Sequence, residues 1–188
     1  MDRTTPPIAR HHQTGFLMLE VLITIIILAF GLLGLAGLQA KIQQAESESY
    51  QRVQALLLLE DMLNRISTNR ANAASYVSAN PLGTGDSQPA SCASLSGAAK
   101  DLCEWSASLK GAAERQSGSG SAIGAMAGAR GCIELLAGSN PPVYRVTVAW
   151  QGMTNLSTPS LSCGQNLYGA DGYRRAIAGH LPIANLSN

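Results

Sequence analysis

The chain is short of aromatic residues, charges and histidines, and each shortage closes off a class of protein. Aromatic side chains make up 5% of its 188 residues while glycine, alanine and serine are plentiful, so a folded domain here has a modest core and long loops. The formal net charge is +1, and leaving out the first fifteen residues removes Asp2, Arg3 and Arg10, so that 11 basic and 11 acidic side chains remain. A near-neutral chain offers no electrostatic footprint for nucleic acid. The histidines are His11, His12 and His180, two of them in the first stretch and one in the tail, so no Ser/His/Asp or Cys/His arrangement is legible. The four cysteines, Cys92, Cys103, Cys132 and Cys163, are too widely and irregularly spaced for a zinc cluster of the C-x₂-C kind. Gly118-Ser-Gly120 has no strand before it and does not make a phosphate loop. Asp101 and Glu104 fall one turn apart on a predicted helix, where a solvated face explains them. Asn155-Leu-Ser157 and Asn185-Leu-Ser187 match the glycosylation triplet, a pattern too short to carry weight. Nothing points to an enzyme, a cofactor, a metal or a small-molecule substrate.

What is present is a long apolar run, Phe16 to Leu38, with one ionisable side chain, Glu20. At about 1.5 Å per residue its roughly 23 residues make a helix of about 34 Å, enough to cross a hydrocarbon core of about 30 Å. The flanks are polar, with Arg3, Arg10, His11 and His12 before it and Lys41, Gln43, Gln44 and Glu46 after it. The excess of arginine on the N-terminal side orients that end to the cytoplasm and the bulk of the chain outside. A secretory signal has an apolar core of about 7–15 residues and a small-x-small cleavage site. This run is longer, and it ends in Leu38-Gln39-Ala40. A carboxylate in such a helix costs on the order of 2.5–3.5 kcal/mol, so Glu20 wants either a partner or a reach to the interface.

A short basic leader, Gly15, Phe16 and then Glu20 as the fifth residue from Phe16 together resemble the class III signal of type IV pilins and pseudopilins. The resemblance implies cleavage by a prepilin peptidase between Gly15 and Phe16, N-methylation of Phe16, and a role for Glu20 in assembly, pairing with the terminal ammonium of an adjacent subunit.

Beyond the span the helix has no reason to stop. Lys41 to Arg70 contains neither glycine nor proline, and Ile42, Ala45, Val53, Leu56, Leu57, Leu59, Leu63 and Ile66 largely keep helical spacing. One helix is therefore predicted from Phe16 to about Arg70, apolar all round at first and amphipathic later. Residues 71–94 read as loop. Leu95 to Ala113 reads as a short helix with Leu95, Leu102, Trp105 and Leu109 on one face, and 114–131 as a Gly/Ser/Ala-rich stretch. Three strands follow: Cys132–Leu136, Val143–Trp150 and Tyr173–Gly179. In the second, Tyr144, Val146, Val148 and Trp150 alternate with Arg145 and Thr147, the pattern of a half-buried strand. A three-stranded antiparallel meander becomes viable by burying one face on the long helix. An even number of cysteines outside the cytoplasm favours disulfides. Four cysteines allow three pairings, of which the one that joins Cys92 to Cys103 and Cys132 to Cys163 is preferred.

The expected fold class is α+β, a long N-terminal helix on a small antiparallel sheet, and this plan again resembles the type IV pilin-like proteins. The divisions are 1–15 as leader, 16–38 as the transmembrane and assembly half of the helix and 39–70 as its amphipathic half. The αβ connecting region covers 71–130, and the sheet and tail 131–188. The Gly-Leu-Leu-Gly-Leu-Ala-Gly-Leu-Gln end of the span, Asp101-Leu-Cys-Glu-Trp105, Gly131-Cys-Ile133, Val143–Trp150, Cys163-Gly164 and Tyr173-Arg-Arg175 look most like the PilV family of minor pilins. That resemblance implies a non-catalytic structural protein of the bacterial inner membrane or pilus. Its implied partners are the prepilin peptidase, other minor pilins and the major pilin. The I-type minor pseudopilin of type II secretion shares the plan and is the runner-up. A plain signal-anchored periplasmic binding module is the third reading, and it has no use for Glu20 beside Gly15-Phe16.

Overall fold

The computed structural model describes residues 18–112 and 126–184. Helix α1 runs Met18–Thr68, 51 residues, and is followed by a 3₁₀ segment, Arg70–Tyr76. Strand β1 (Leu82–Gly83), helix α2 (Gly97–Leu109), and strands β2 (Arg130–Leu135), β3 (Val143–Gln151) and β4 (Arg174–Pro182) complete the order, with one 3₁₀ turn at Asp171–Tyr173. The chain divides into two compact units, residues 1–43 and 44–188.

Within the second unit the α1 side chains that enter the core are Gln51, Ala55, Leu59, Met62 and Ile66. Steps of four, four, three and four keep them on one face of a 3.6-residue helix. This differs from the expected stripe: Val53, Leu56 and Leu57 are exposed. Four consecutive leucines, Leu56 to Leu59, leave the periodicity without a preferred face, and the partner elements choose it.

The sheet is antiparallel throughout, in the order β1-β2-β3-β4. Among the described residues it has four strands, one more than expected, because Leu82 and Gly83 pair with Gly131 and Arg130 from a stretch whose composition reads as loop. Ile133, Tyr144, Val146, Val148 and Trp150 form one core with the α1 stripe and Trp105. Trp105 of α2 lies against the backbone of β2, where a Cβ on Gly131 would come within 2.1 Å of its ring. Its indole N–H donates to Leu58 O at 2.8 Å, which ties α2 to α1. Helix α2 stops short of the expected Ala113. Gly111 adopts φ 86°, and the amides of Gly111 and Ala112 donate to Ser108 O and Ala107 O, closing the last turn.

The half-buried reading of β3 needs correction. Thr147 is 2% exposed and Ala149 is fully buried, so the strand is covered on both faces. The second face is roofed by Cys163 and Tyr168 of the 152–171 loop, packed with Cys132 and Ala149. Arg174 holds that loop in place. It is 1% exposed, pairs with Asp171, and donates to the carbonyls of Pro159, Leu161 and Cys163.

Candidate functional site

The unusual surface of the first unit is its own helix. Every described residue from Met18 to Gln43 is exposed. The most apolar window of α1 reaches a mean hydropathy of 2.8, and α1 is long and apolar enough to cross a membrane. Leu22, Ile25, Ile26, Leu28, Phe30 and Leu33 are among its exposed side chains. A helix suits that setting because its backbone polar groups are satisfied within the segment. The one hydroxyl near its start follows the same rule, since Thr24 Oγ1 donates to Val21 O at 2.8 Å. Glu20 stands in the first turn of α1, where a carboxylate is favoured by the helix dipole. It is exposed and, among the described residues, has no hydrogen-bond or ion-pair partner. Gly15 and Phe16 lie outside the described residues, as does the leader.

The second unit is organised by crosslinks of two kinds. Cys92 is bonded to Cys103 and Cys132 to Cys163, each with Cα atoms 5.8 Å apart. The first closes 11 residues and fastens α2 to the preceding loop; the second closes 31 and fastens β2 to the roof of the sheet. The others are ionic. Arg65 of α1 donates to Asp61 at 3.1 Å, to Asp101 at 3.0 Å and to Glu104 at 2.8 Å. The solvated face expected for Asp101 and Glu104 is thus replaced by a clasp between α2 and α1. Burial opposes the charge on Arg65, but its three carboxylates outweigh burial and raise its pKa. Burial, aided by the Asp101 carboxylate to which it donates at 2.5 Å, also pushes the Tyr76 phenol up.

A second clasp is Glu48, which accepts from Met153 N at 3.1 Å, Thr154 N at 3.2 Å, Thr154 Oγ1 at 3.0 Å and Arg175 at 3.3 Å. Burial works against its ionisation, yet the hydrogen bonds from Thr154 and Met153 and the charge of Arg175 hold its carboxyl below the usual range. Asp86 behaves alike: burial is overcome by Lys110, Ser106 and the amides of Gly83 and Gln88. Glu48 and Arg175 are 127 residues apart, so no local sequence signal links them. Among the described residues no group of three or more His, Cys, Asp or Glu is placed to hold a metal ion.

The arrangement therefore offers an apolar helical surface and a crosslinked α+β domain, the features of an anchored or assembling structural protein. Residues 37–107 match the family model Tt1218-like, described as type IV pilin Tt1218. The match takes in the amphipathic half of α1, β1 and most of α2, and it supports a type IV pilin-like protein with a structural role. No curated protein and no solved structure matches the chain.

Proposed function

We propose that this chain is a minor pilin of a type IV pilus, acting in pilus assembly or its initiation. The observation that carries the reading is the exposed apolar helix of residues 18–43 with Glu20 in its first turn. A surface of that kind is stable only in lipid or against other apolar helices. In this reading residues 1–15 are a leader removed by prepilin peptidase between Gly15 and Phe16. Phe16 then carries an N-methyl group, and 16–38 serve as the membrane span before assembly. The N-terminus faces the cytoplasm and residues 39–188 the periplasm. Glu20 sets register by pairing with the terminal ammonium of a neighbouring pilin, either the major pilin or another minor one. An ion pair is worth most where water is excluded, and the desolvation cost of the carboxylate makes an unpaired neighbour the wrong one.

The experiment is intact mass and N-terminal sequencing of the protein from its native membrane. The expected result is a chain beginning at Phe16 with one added methyl group. A chain beginning at Met1 would reduce it to a signal-anchored protein, and one beginning after Leu38 would make the run a secretory signal. Deletion is expected to reduce piliation; loss of protein secretion with normal pili would assign the chain to the I-type pseudopilins instead.

A further inference from the structure

The sheet has two edges, and they are unequal. β1 offers two residues, whereas β4 offers nine. In the β3–β4 register Val143 faces Pro182 and Gln151 faces Arg174. Just beyond the ends of the ladder, Ile183 N donates to Pro142 O and Gly152 N to Tyr173 O. Antiparallel pairs alternate between bonded and non-bonded, so the odd-numbered residues of β4 bond to β3. The even-numbered ones, Ala176, Ala178 and His180, direct N–H and C=O away from it. Pro182 falls on the same outward set, where its missing N–H costs the ladder nothing. Among the described residues no hydrogen bond takes up the outward groups of Ala176, Ala178 or His180. Edges are ordinarily blunted by charge, proline or a bulge. From Ala176 to His180 the sequence is Ala-Ile-Ala-Gly-His, with no lysine, arginine or carboxylate.

A groove of about 490 Å³ lies beside this edge, lined by Arg175, Ala176 and Ile177 of β4, by Trp150, and by Glu48 and Arg52 of α1. Its charges are not balanced. Glu48 is committed to Arg175 and Thr154, and Arg174 to Asp171. Arg52 is exposed and makes no hydrogen bond or ion pair among the described residues. One uncommitted guanidinium thus shares a groove with Ala176, the first of the outward-facing residues whose run continues along the edge through Ala178 and His180. We infer that the β4 edge at Ala176–His180 takes up an extended segment of a partner protein as a fifth strand, with a carboxylate of that segment on Arg52. The backbone ladder supplies affinity and the Arg52 ion pair fixes register and selects an acidic segment. This inference does not rest on cleavage at Gly15 or on filament membership.

The test uses the full chain in detergent micelles and a fluorescein-labelled peptide, acetyl-TVTVEVTVT-amide, with its Glu→Gln counterpart, read by anisotropy. The acidic peptide is expected to bind, about tenfold more tightly than the Gln peptide and about tenfold more tightly than to Arg52→Gln protein. Ala178→Pro removes one outward N–H and leaves the β3 bonds of Ile177 and Gly179 in place, so binding is expected to be lost while the melting temperature holds. Should Ala178→Pro not fold, the two peptides and Arg52→Gln decide alone. Absence of binding at about 1 mM peptide overturns the inference. So does equal binding of both peptides, or binding that survives Ala178→Pro in a folded chain. Self-association abolished by Ala178→Pro, with no peptide bound, would also overturn it by making a second copy the occupant.

Discussion

The two stretches of α1 use the same residue types to opposite ends. From Met18 to Gln43 every residue is exposed, and apolar side chains occupy all sides of the helix. From Gln44 to Thr68 there are five leucines against seven in the earlier stretch, and only Ala55, Leu59, Met62 and Ile66 join Gln51 in the core. The later stretch gains a face because Trp105, the sheet and a set of ionic clasps define one. The earlier stretch has no partner within the described chain and presents a surface for lipid or another helix. Hydrophobicity alone therefore says that a helix will be covered, and the rest of the fold says by what.

The contrast can be broken or sharpened by experiment. Trp105→Ala removes a fully buried side chain and the bond to Leu58 O, and is expected to destabilise the 44–184 domain by about 3–5 kcal/mol. Denaturation followed by near-UV circular dichroism reads that loss. The helicity of residues 18–43 in micelles, read by amide hydrogen exchange, should not change. Replacing Cys132 and Cys163 together by serine frees a loop of 31 residues and is expected to cost about 4 kcal/mol, against about 3 for the 11-residue Cys92–Cys103 loop. Equal melting of the two double variants would mean that the roof of the sheet is held by Arg174 rather than by the bond.

Arg65→Met leaves Asp61, Asp101 and Glu104 without their cation. Because these side chains are 26–39% exposed, solvent screening limits the loss to about 1–2 kcal/mol in urea denaturation. Acid acts in the same direction. Glu48, Asp86 and Asp171 have pKa values lowered in the folded chain, so their stabilisation is complete above the unfolded carboxyl range of about pH 4 and is lost as pH falls through the folded values. The melting temperature of the domain is expected to decline in acid below about pH 4. A flat profile would mean that these clasps add nothing. Glu20→Ala gives the smallest effect on the domain, within about 0.5 kcal/mol. Piliation should nevertheless be abolished with membrane insertion intact, and normal pili in that variant would remove Glu20 from the assembly role.

Much of this architecture is legible in the residues. The apolar run from Phe16, the glycine- and proline-free continuation to Arg70, and the alternation Tyr144, Val146, Val148, Trp150 each report a local periodicity; α1 ends within two residues of Arg70, and β3 follows its pattern within one residue at either end. Glu20 is legible as a candidate because a lone carboxylate in an apolar run stands out whatever the fold. Other features carry no local signature. Leu82 and Gly83 become a strand only because Gly131 and Arg130 lie beside them. Arg174 reads as a surface cation until the 152–171 loop folds over it and supplies three carbonyls.

By itself the sequence determined where the chain must be helical or extended, because the 3.6- and 2-residue periods depend on neighbours in the chain. It also determined that one helix half has to be covered by something apolar, through the absence of charge other than Glu20 between Phe16 and Leu38. Tertiary structure decided which leucines of α1 face inward, that both faces of β3 are dry, that Asp101 and Glu104 serve Arg65, and that the long free edge belongs to β4. Each of those outcomes depends on which residues meet across 16 to more than 100 positions of sequence, as Cys163 meets Thr147, Arg65 meets Asp101 and Glu48 meets Arg175, and proximity of that kind exists only once the chain has folded.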